Sequence, residues 1–225
     1  MRDYEALQEA LGYRFRNLDL LKTALTHPSF SAEHPGTKHY QRLEFLGDAV
    51  LQMSVSRRLY DGMPGKDEGK LTRVRASIVR EETLFRAAQT LNLGEYLRLS
   101  VGEERTGGRG KSGIVSDVME AVLAAVYLDD GFDAADAIVA RLLGPMLDSA
   151  MRGDALDAKS KLQEILQKNG EMPEYRQISM EGPQHAPVYR YEVLVSGTVL
   201  GEGSGTSKQA AQQQAAQAAL KALKH

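Results

Sequence analysis

The sequence predicts two unlike domains, an all-helical one over residues 1–150 and a small α+β one over residues 157–225 with the order helix, three strands, helix, joined by a linker at 151–156. Three observations carry that prediction. Upstream, apolar residues recur at helical spacing in nearly every segment, with Gly and Pro clusters at 61–65 and 107–113 as breaks. Downstream, an amphipathic helix is followed by alternating strand patterns and an alanine-rich helix. Between them SAMRGDALD (149–157) interrupts both patterns with small, polar and glycine residues.

Two segments dominate the helical part. Around QRLEFLGDAV (41–50), Leu51 and Val55 continue the angular stripe of Glu44 and Asp48, while Leu43, Phe45, Leu46, Val50 and Met53 cover most of the remaining circumference. That helix is expected to be buried nearly all round. In SDVMEAVLAAVYL (116–128), Val115, Val118, Met119, Val122, Leu123 and Val126 form a broad apolar surface, and Asp117 and Glu120 share a narrow wedge with Ala121 and Ala124. In the second part KSKLQEILQKNG (159–170) is a helix ended by Gly170, PEYRQISMEG, PVYRYEVLVSG and TVLGEGSG are strands, and SKQAAQQQAAQAALKALKH is the last helix.

The acids carry the chemistry. Glu44 and Asp48 stand four residues apart and Asp117 and Glu120 three, so each pair projects from one face of its helix. No Lys or Arg shares either wedge at helical spacing. An unpaired carboxylate taken out of water is costly or takes up a proton, so the arrangement calls for a cationic partner. Oxygen-only ligands favour a hard cation, Mg²⁺ or Mn²⁺, over zinc. Pairing with distant arginines and opening onto a solvated groove are the alternatives that spacing leaves open.

The run QRLEFLGDAV, with ALTHPSF (24–30), EGKLTRVRASIV (68–79) and SDVMEAVLAAVYLDDG (116–131), resembles the ribonuclease III family. That resemblance implies a Mg²⁺-dependent endonuclease of double-stranded RNA, with Mn²⁺ able to substitute, in which Glu44, Asp48, Asp117 and Glu120 line one catalytic site. Asp48 and Glu120 are the expected direct ligands, Glu120 completing the metal site; Glu44 and Asp117 complete or orient the shell, a division the sequence leaves open. Glu68 would be an outer contributor near the metal or a partner subunit. The family further implies a homodimer cutting opposite strands, with short 3′ overhangs, 5′-phosphate and 3′-hydroxyl ends, and work on ribosomal and messenger RNA precursors. Gln41 departs from the pattern: many members carry an acid there, so an accessory carboxylate is absent or replaced by a neutral amide. Phe45 reads equally as an interface anchor and as a core aromatic.

Residues 157–225 resemble the double-stranded RNA-binding domain. On its first helix Gln163 and Glu164, with Gln167 one turn on, are placed to reach 2′-hydroxyls in a shallow minor groove; His185 in the loop GPQHAP (182–187) would serve a second. Lys208 and the first backbone N–H groups of the last helix would face phosphates across the intervening major groove. Gln209 stands where a second lysine is usual, which should weaken binding without abolishing it.

Composition bounds the rest. A chain of 225 residues with 42% apolar residues can bury a substantial core, and the absence of cysteine excludes disulfides and Cys-ligated zinc. The net charge of −2 is unequally shared: residues 157–225 hold eight Lys/Arg against seven Asp/Glu, net +1, and residues 1–156 hold twenty against twenty-three, net −3. No leader pattern and no apolar run of membrane-spanning length occurs, so a cytoplasmic protein without a membrane partner is expected. The loop ERTGGRGKSG (104–113) lacks the glycine a phosphate-cradling P-loop needs, having Arg105 in its place, so no nucleotide cofactor is expected; it reads equally as a mobile basic loop and as a solvated connection. The histidines show no HExxH pairing, and His27 is a packing or hydrogen-bonding residue. Two competing classes remain. A duplex-RNA-binding scaffold would not need four acids in apolar helices, and a small-molecule phosphohydrolase would have no use for the second domain.

Overall fold

A computed structural model describes residues 4–152, 158–182 and 187–223. The chain divides into two compact units, Met1–Asp148 and Ser149–His225. The first is helical: α1 (Tyr4–Leu11), α2 (Leu18–Ala24), α3 (Pro28–Glu33), α4 (Gln41–Gly62), α5 (Glu68–Ile78), α6 (Glu81–Thr90), α7 (Val101–Arg105), α8 (Ser112–Asp130) and α9 (Phe132–Arg152), whose last turn lies past the division. The segment expected as a linker therefore begins inside α9, and residues 153–157 lie outside the described residues.

Local chemistry starts these helices. Side chains of Asn17, Asp67 and Ser100 accept from backbone N–H groups of the first turns of α2, α5 and α7. His27 does the same for α3, through Nδ1 and the Ser29 N–H, with Pro28 at the first helical position. Helix α8 forms the centre of the unit, with Val115, Val118, Met119, Val122, Leu123 and Val126 all buried. The Asp129 carboxylate at its end accepts from the Tyr13 hydroxyl at 2.7 Å and from the backbone N–H groups of Arg16 and Asn17, both at 2.8 Å, fastening the N-terminal segment. Asp136 on α9 accepts from Ser54 and Arg58 on α4, each at 2.6 Å.

Helix α4 departs from the expected burial nearly all round. Leu43, Gly47, Val50, Leu51, Ser54, Val55 and Leu59 form its buried face. Phe45, however, is 83% and Met53 60% exposed, and Asp48 also faces solvent. Phe45 and Met53 are as apolar as the residues that face inward, and hydropathy alone does not distinguish a core position from an apolar one left uncovered in one chain.

The second unit contains α10 (Ala158–Gln167), β1 (Glu174–Glu181), β2 (Val188–Val195), β3 (Thr198–Gly205) and α11 (Lys208–Ala222). The strands form an antiparallel sheet in the order β1-β2-β3, with a bulge between Gln177 and Ser179. Leu162 and Leu166 of α10, Val193 and Val195 of β2 and Ala215, Ala216 and Ala219 of α11 make its core. Close approach of helix to sheet depends on Gly201, Gly203 and Gly205, where any Cβ would collide with α11.

Candidate active site

The four acids meet where α4 crosses α8. Gly47 makes the crossing possible: a Cβ there would fall inside the van der Waals shell of the Glu120 carbonyl oxygen. Glu44 and Asp48 flank that glycine, and Asp117 and Glu120 flank the contact on α8. Glu44, Asp117 and Glu120 are partly buried, whereas Asp48 is exposed and accepts from Gln52 Nε2 at 3.2 Å. None of the four forms an ion pair among the described residues, which removes the alternative of distant arginine partners.

Their electrostatics record the crowding. Burial, followed by the charges of Asp48, Asp117 and Glu44, pushes the Glu120 carboxyl up to about 8. Burial and then Asp117 raise Glu44 above the usual range. Asp117 is raised by burial and then by Glu81, while a hydrogen bond from Tyr40 acts in the opposite sense. Glu120 within electrostatic reach of three other carboxylates, with His27 as the basic group that acts on Asp117 and no Lys or Arg paired to any of the four among the described residues, favours a cation. The four acids do not enclose one alone: among the described residues no three His, Cys, Asp or Glu side chains are gathered into a ready metal cage. The donor set suits an ion that retains waters or takes oxygens from a substrate, as Mg²⁺ does.

Several of the surrounding polar groups are occupied. His27 Nδ1 lies 2.8 Å from Ser29 Oγ, and its ring lies against Tyr40. In the 104–113 segment Arg109 donates to the carbonyls of Gly94, Glu95 and Leu97 at 2.9–3.0 Å and grips Glu104 with two nitrogens. Lys111 bonds Glu103 at 2.6 Å. These two cations are structural ties, so the basic-loop reading loses them both.

The remaining expected residues are placed as follows. Gln41 is exposed at the first position of α4. Glu68 begins α5, accepts from Thr72 at 2.9 Å and lines a groove with Ser56, Leu59, Tyr60, Leu71 and Arg75. Gln163, Glu164 and Gln167 are all exposed on α10. Lys208 and Gln209 are exposed at the start of α11, where the Ser207 hydroxyl caps Ala210 N–H at 3.1 Å. His185 lies outside the described residues. Sequence reasoning missed Tyr40, Gly47 and Glu81; the first two sit beside or inside the signature run, whereas nothing local connects Glu81 to residue 117.

A helical carboxylate site with an α-β-β-β-α domain after it defines a class, the metal-dependent nuclease that carries its own duplex-RNA-binding domain. Residues 17–146 match the ribonuclease-III-like family and residues 158–223 the double-stranded RNA binding motif. The chain is 42% identical over 219 residues to a Ribonuclease 3 of Clostridium perfringens, covering 96% of this chain and 92% of that one. A Ribonuclease 3 of Listeria monocytogenes is 41% identical over 228 residues, all of both chains. Among solved structures, a ribonuclease III nuclease domain from Campylobacter jejuni, described for flexibility in a region involved in its dimer formation, is 40% identical with a TM-score of 0.60, covering 64% of this chain and 97% of that one. The chain belongs to the ribonuclease III family. Among the described residues no helix is long and apolar enough to cross a membrane.

Proposed function

We propose that this chain cuts double-stranded RNA using Mg²⁺ held by Glu44, Asp48, Asp117 and Glu120, Mn²⁺ being able to substitute. The activity class follows from the family: a double-strand-specific endoribonuclease working with a divalent metal. The observation that carries the residue assignment is the convergence of four acids, none of them ion-paired, at one helix crossing. When bound, the cation would activate water, neutralise charge at phosphorus and stabilise the departing oxygen. Glu44, Asp117 and Glu120 supply partly buried oxygens, and Gln52 steadies Asp48 at the solvent side. In the net reaction water oxygen bonds phosphorus, the P–O3′ bond breaks, and the water's proton reaches the 3′ oxygen; a 5′-phosphate and a 3′-hydroxyl result.

Substrate is held by the second domain. Gln163, Glu164 and Gln167 form an exposed row suited to 2′-hydroxyls, and Lys208 with the N-terminus of α11 suits a phosphate; His185 belongs to the same proposal. The working form is a homodimer. Phe45, left 83% exposed on α4, and the groove lined by Leu59, Leu71 and Glu68 would be covered together by a second copy about a two-fold axis. That places the accessory role of Glu68 toward the partner, and leaves Gln41 as a neutral polar group at the site's edge. Two sites so related cut opposite strands and leave short 3′ overhangs; ribosomal and messenger RNA precursors in the cytoplasm are the proposed substrates.

The test is cleavage of a long RNA duplex, with single-stranded RNA as control, in Mg²⁺, in EDTA and with Glu120→Gln. Cutting of the duplex alone, dependent on Mg²⁺ and abolished in the variant while duplex binding persists, is expected. Binding without cutting under every condition would instead make the helical unit a scaffold.

A further inference from the structure

Lys159, in the first turn of α10, is where interactions from two other elements meet. Its backbone N–H donates to Gln213 Oε1 of α11 at 3.3 Å, so an orphan donor at the start of one helix is satisfied by a side chain of the other. Its ammonium donates to Gln212 Oε1 at 2.7 Å and stands 4.5 Å from the centre of the Tyr175 ring on β1. The third glutamine of the run, Gln214, accepts from the Ser204 N–H of β3 at 3.3 Å, so α11 is itself pinned to the sheet. Apolar packing does less to fix the register of the two helices. In their shared core α10 contributes Leu162 and Leu166, but α11 contributes Ala215, Ala216 and Ala219, whose single methyl groups raise no deep ridge. Burial is non-directional, whereas a hydrogen bond is not.

The tie falls on the surfaces that RNA would use. Gln163 follows Lys159 by four residues and Gln167 by eight, so the three share one face of α10; Gln212 follows Lys208 by four on α11. The bond between Lys159 and Gln212 therefore lies one turn from the α10 row and one turn from Lys208. We propose that Lys159 is a positioning residue for duplex binding: it sets the spacing between the exposed row of α10 and the phosphate-facing start of α11. The inference rests on the proposed reading of Gln163, Glu164, Gln167 and Lys208 as RNA contacts. A duplex is read by shape, so contact regions on separate elements engage together only when their separation matches that of the grooves. A spacing fixed beforehand removes that ordering cost from binding. In this role Lys159 touches no phosphate; it acts through α11.

Lys159→Met keeps the stem and deletes the ammonium, while Gln212→Ala deletes the acceptor, removes no charge and favours the helix. Binding of the full chain to an RNA duplex, in EDTA so that nothing is cut, should weaken by about tenfold in each variant, the lower end for a hydrogen bond to a charged group. The slope of log affinity against log salt should keep the parent's value in both, and the double variant should lose no more than either single one. A slope reduced by about one in Lys159→Met would make the lysine itself a phosphate contact and overturn the inference. Parental affinity in Gln212→Ala overturns it too, and decides alone if Lys159→Met fails to fold. Lys208→Ala, titrated in parallel, separates the two readings. Parental affinity and slope there remove the phosphate assignment on which the inference stands; loss there with parental affinity in Gln212→Ala rejects only the role of Lys159.

Discussion

Glu120 holds its proton far more tightly than an ordinary glutamate, at about 8 against 4.5, because it is buried beside Asp48, Asp117 and Glu44. Between those values the folded, metal-free protein keeps a proton that the unfolded chain has released. The associated stability is present in full below about 4.5 and is lost as pH rises through about 8. Thermal unfolding in EDTA should therefore show a melting temperature falling over that interval, and Glu120→Gln should flatten the fall. The difference at the alkaline end should be about 1–2 kcal/mol, less than the full shift because the carboxyl retains solvent contact. A metal must displace the same proton, so Mn²⁺ binding at neutral pH should release about one proton, measurable by calorimetry in buffers of different ionisation enthalpy. Lys208, at the start of α11, is the residue to test on the RNA side. Lys208→Ala should weaken duplex binding and reduce the slope of log affinity against log salt by about one. An unchanged slope would remove Lys208 from the phosphate contacts.

Between elements, the α4–α8 crossing decides whether a site exists. Gly47 and Glu120 meet backbone to backbone, so no rotamer change relieves an added methyl. Gly47→Ala should destabilise the protein by about 1–3 kcal/mol, the usual range for overpacking. The same substitution should abolish Mn²⁺ binding, since pushing the helices apart moves one acid pair from the other. Melting temperature and metal titration measure the two effects separately, and retention of full metal affinity would show that the crossing has more latitude than the contact implies. In the second unit Gly201, Gly203 and Gly205 perform the equivalent service, letting the alanine face of α11 lie on β3.

For the whole molecule, the uncovered side of α4 is the feature that one chain leaves unsatisfied. Phe45, Met53 and Tyr60 are 83%, 60% and 74% exposed along it. Phe45→Asp should convert the dimer to a monomer in sedimentation equilibrium. Duplex binding by the isolated second unit's residues should survive, because none of them lies on α4. A variant that remains dimeric would move the interface elsewhere.

Periodicity in the sequence was enough for the helical and α-β-β-β-α divisions, the strands of the second unit and the pairing of acids on single helix faces, because each depends on neighbours within a turn or two of chain. The signature runs added the family, and with it the four acids as the proposed metal holders. Which face of α4 is covered was not legible, since Phe45 and Leu51 have similar hydropathy and differ only in what lies opposite them. Nor could spacing reveal that residue 47 must be glycine for residue 120, because those two are brought together only by the packing of α4 on α8. The raised proton affinity of Glu120 has the same origin: charge and burial act through space, and folding alone decides which distant carboxylates share it.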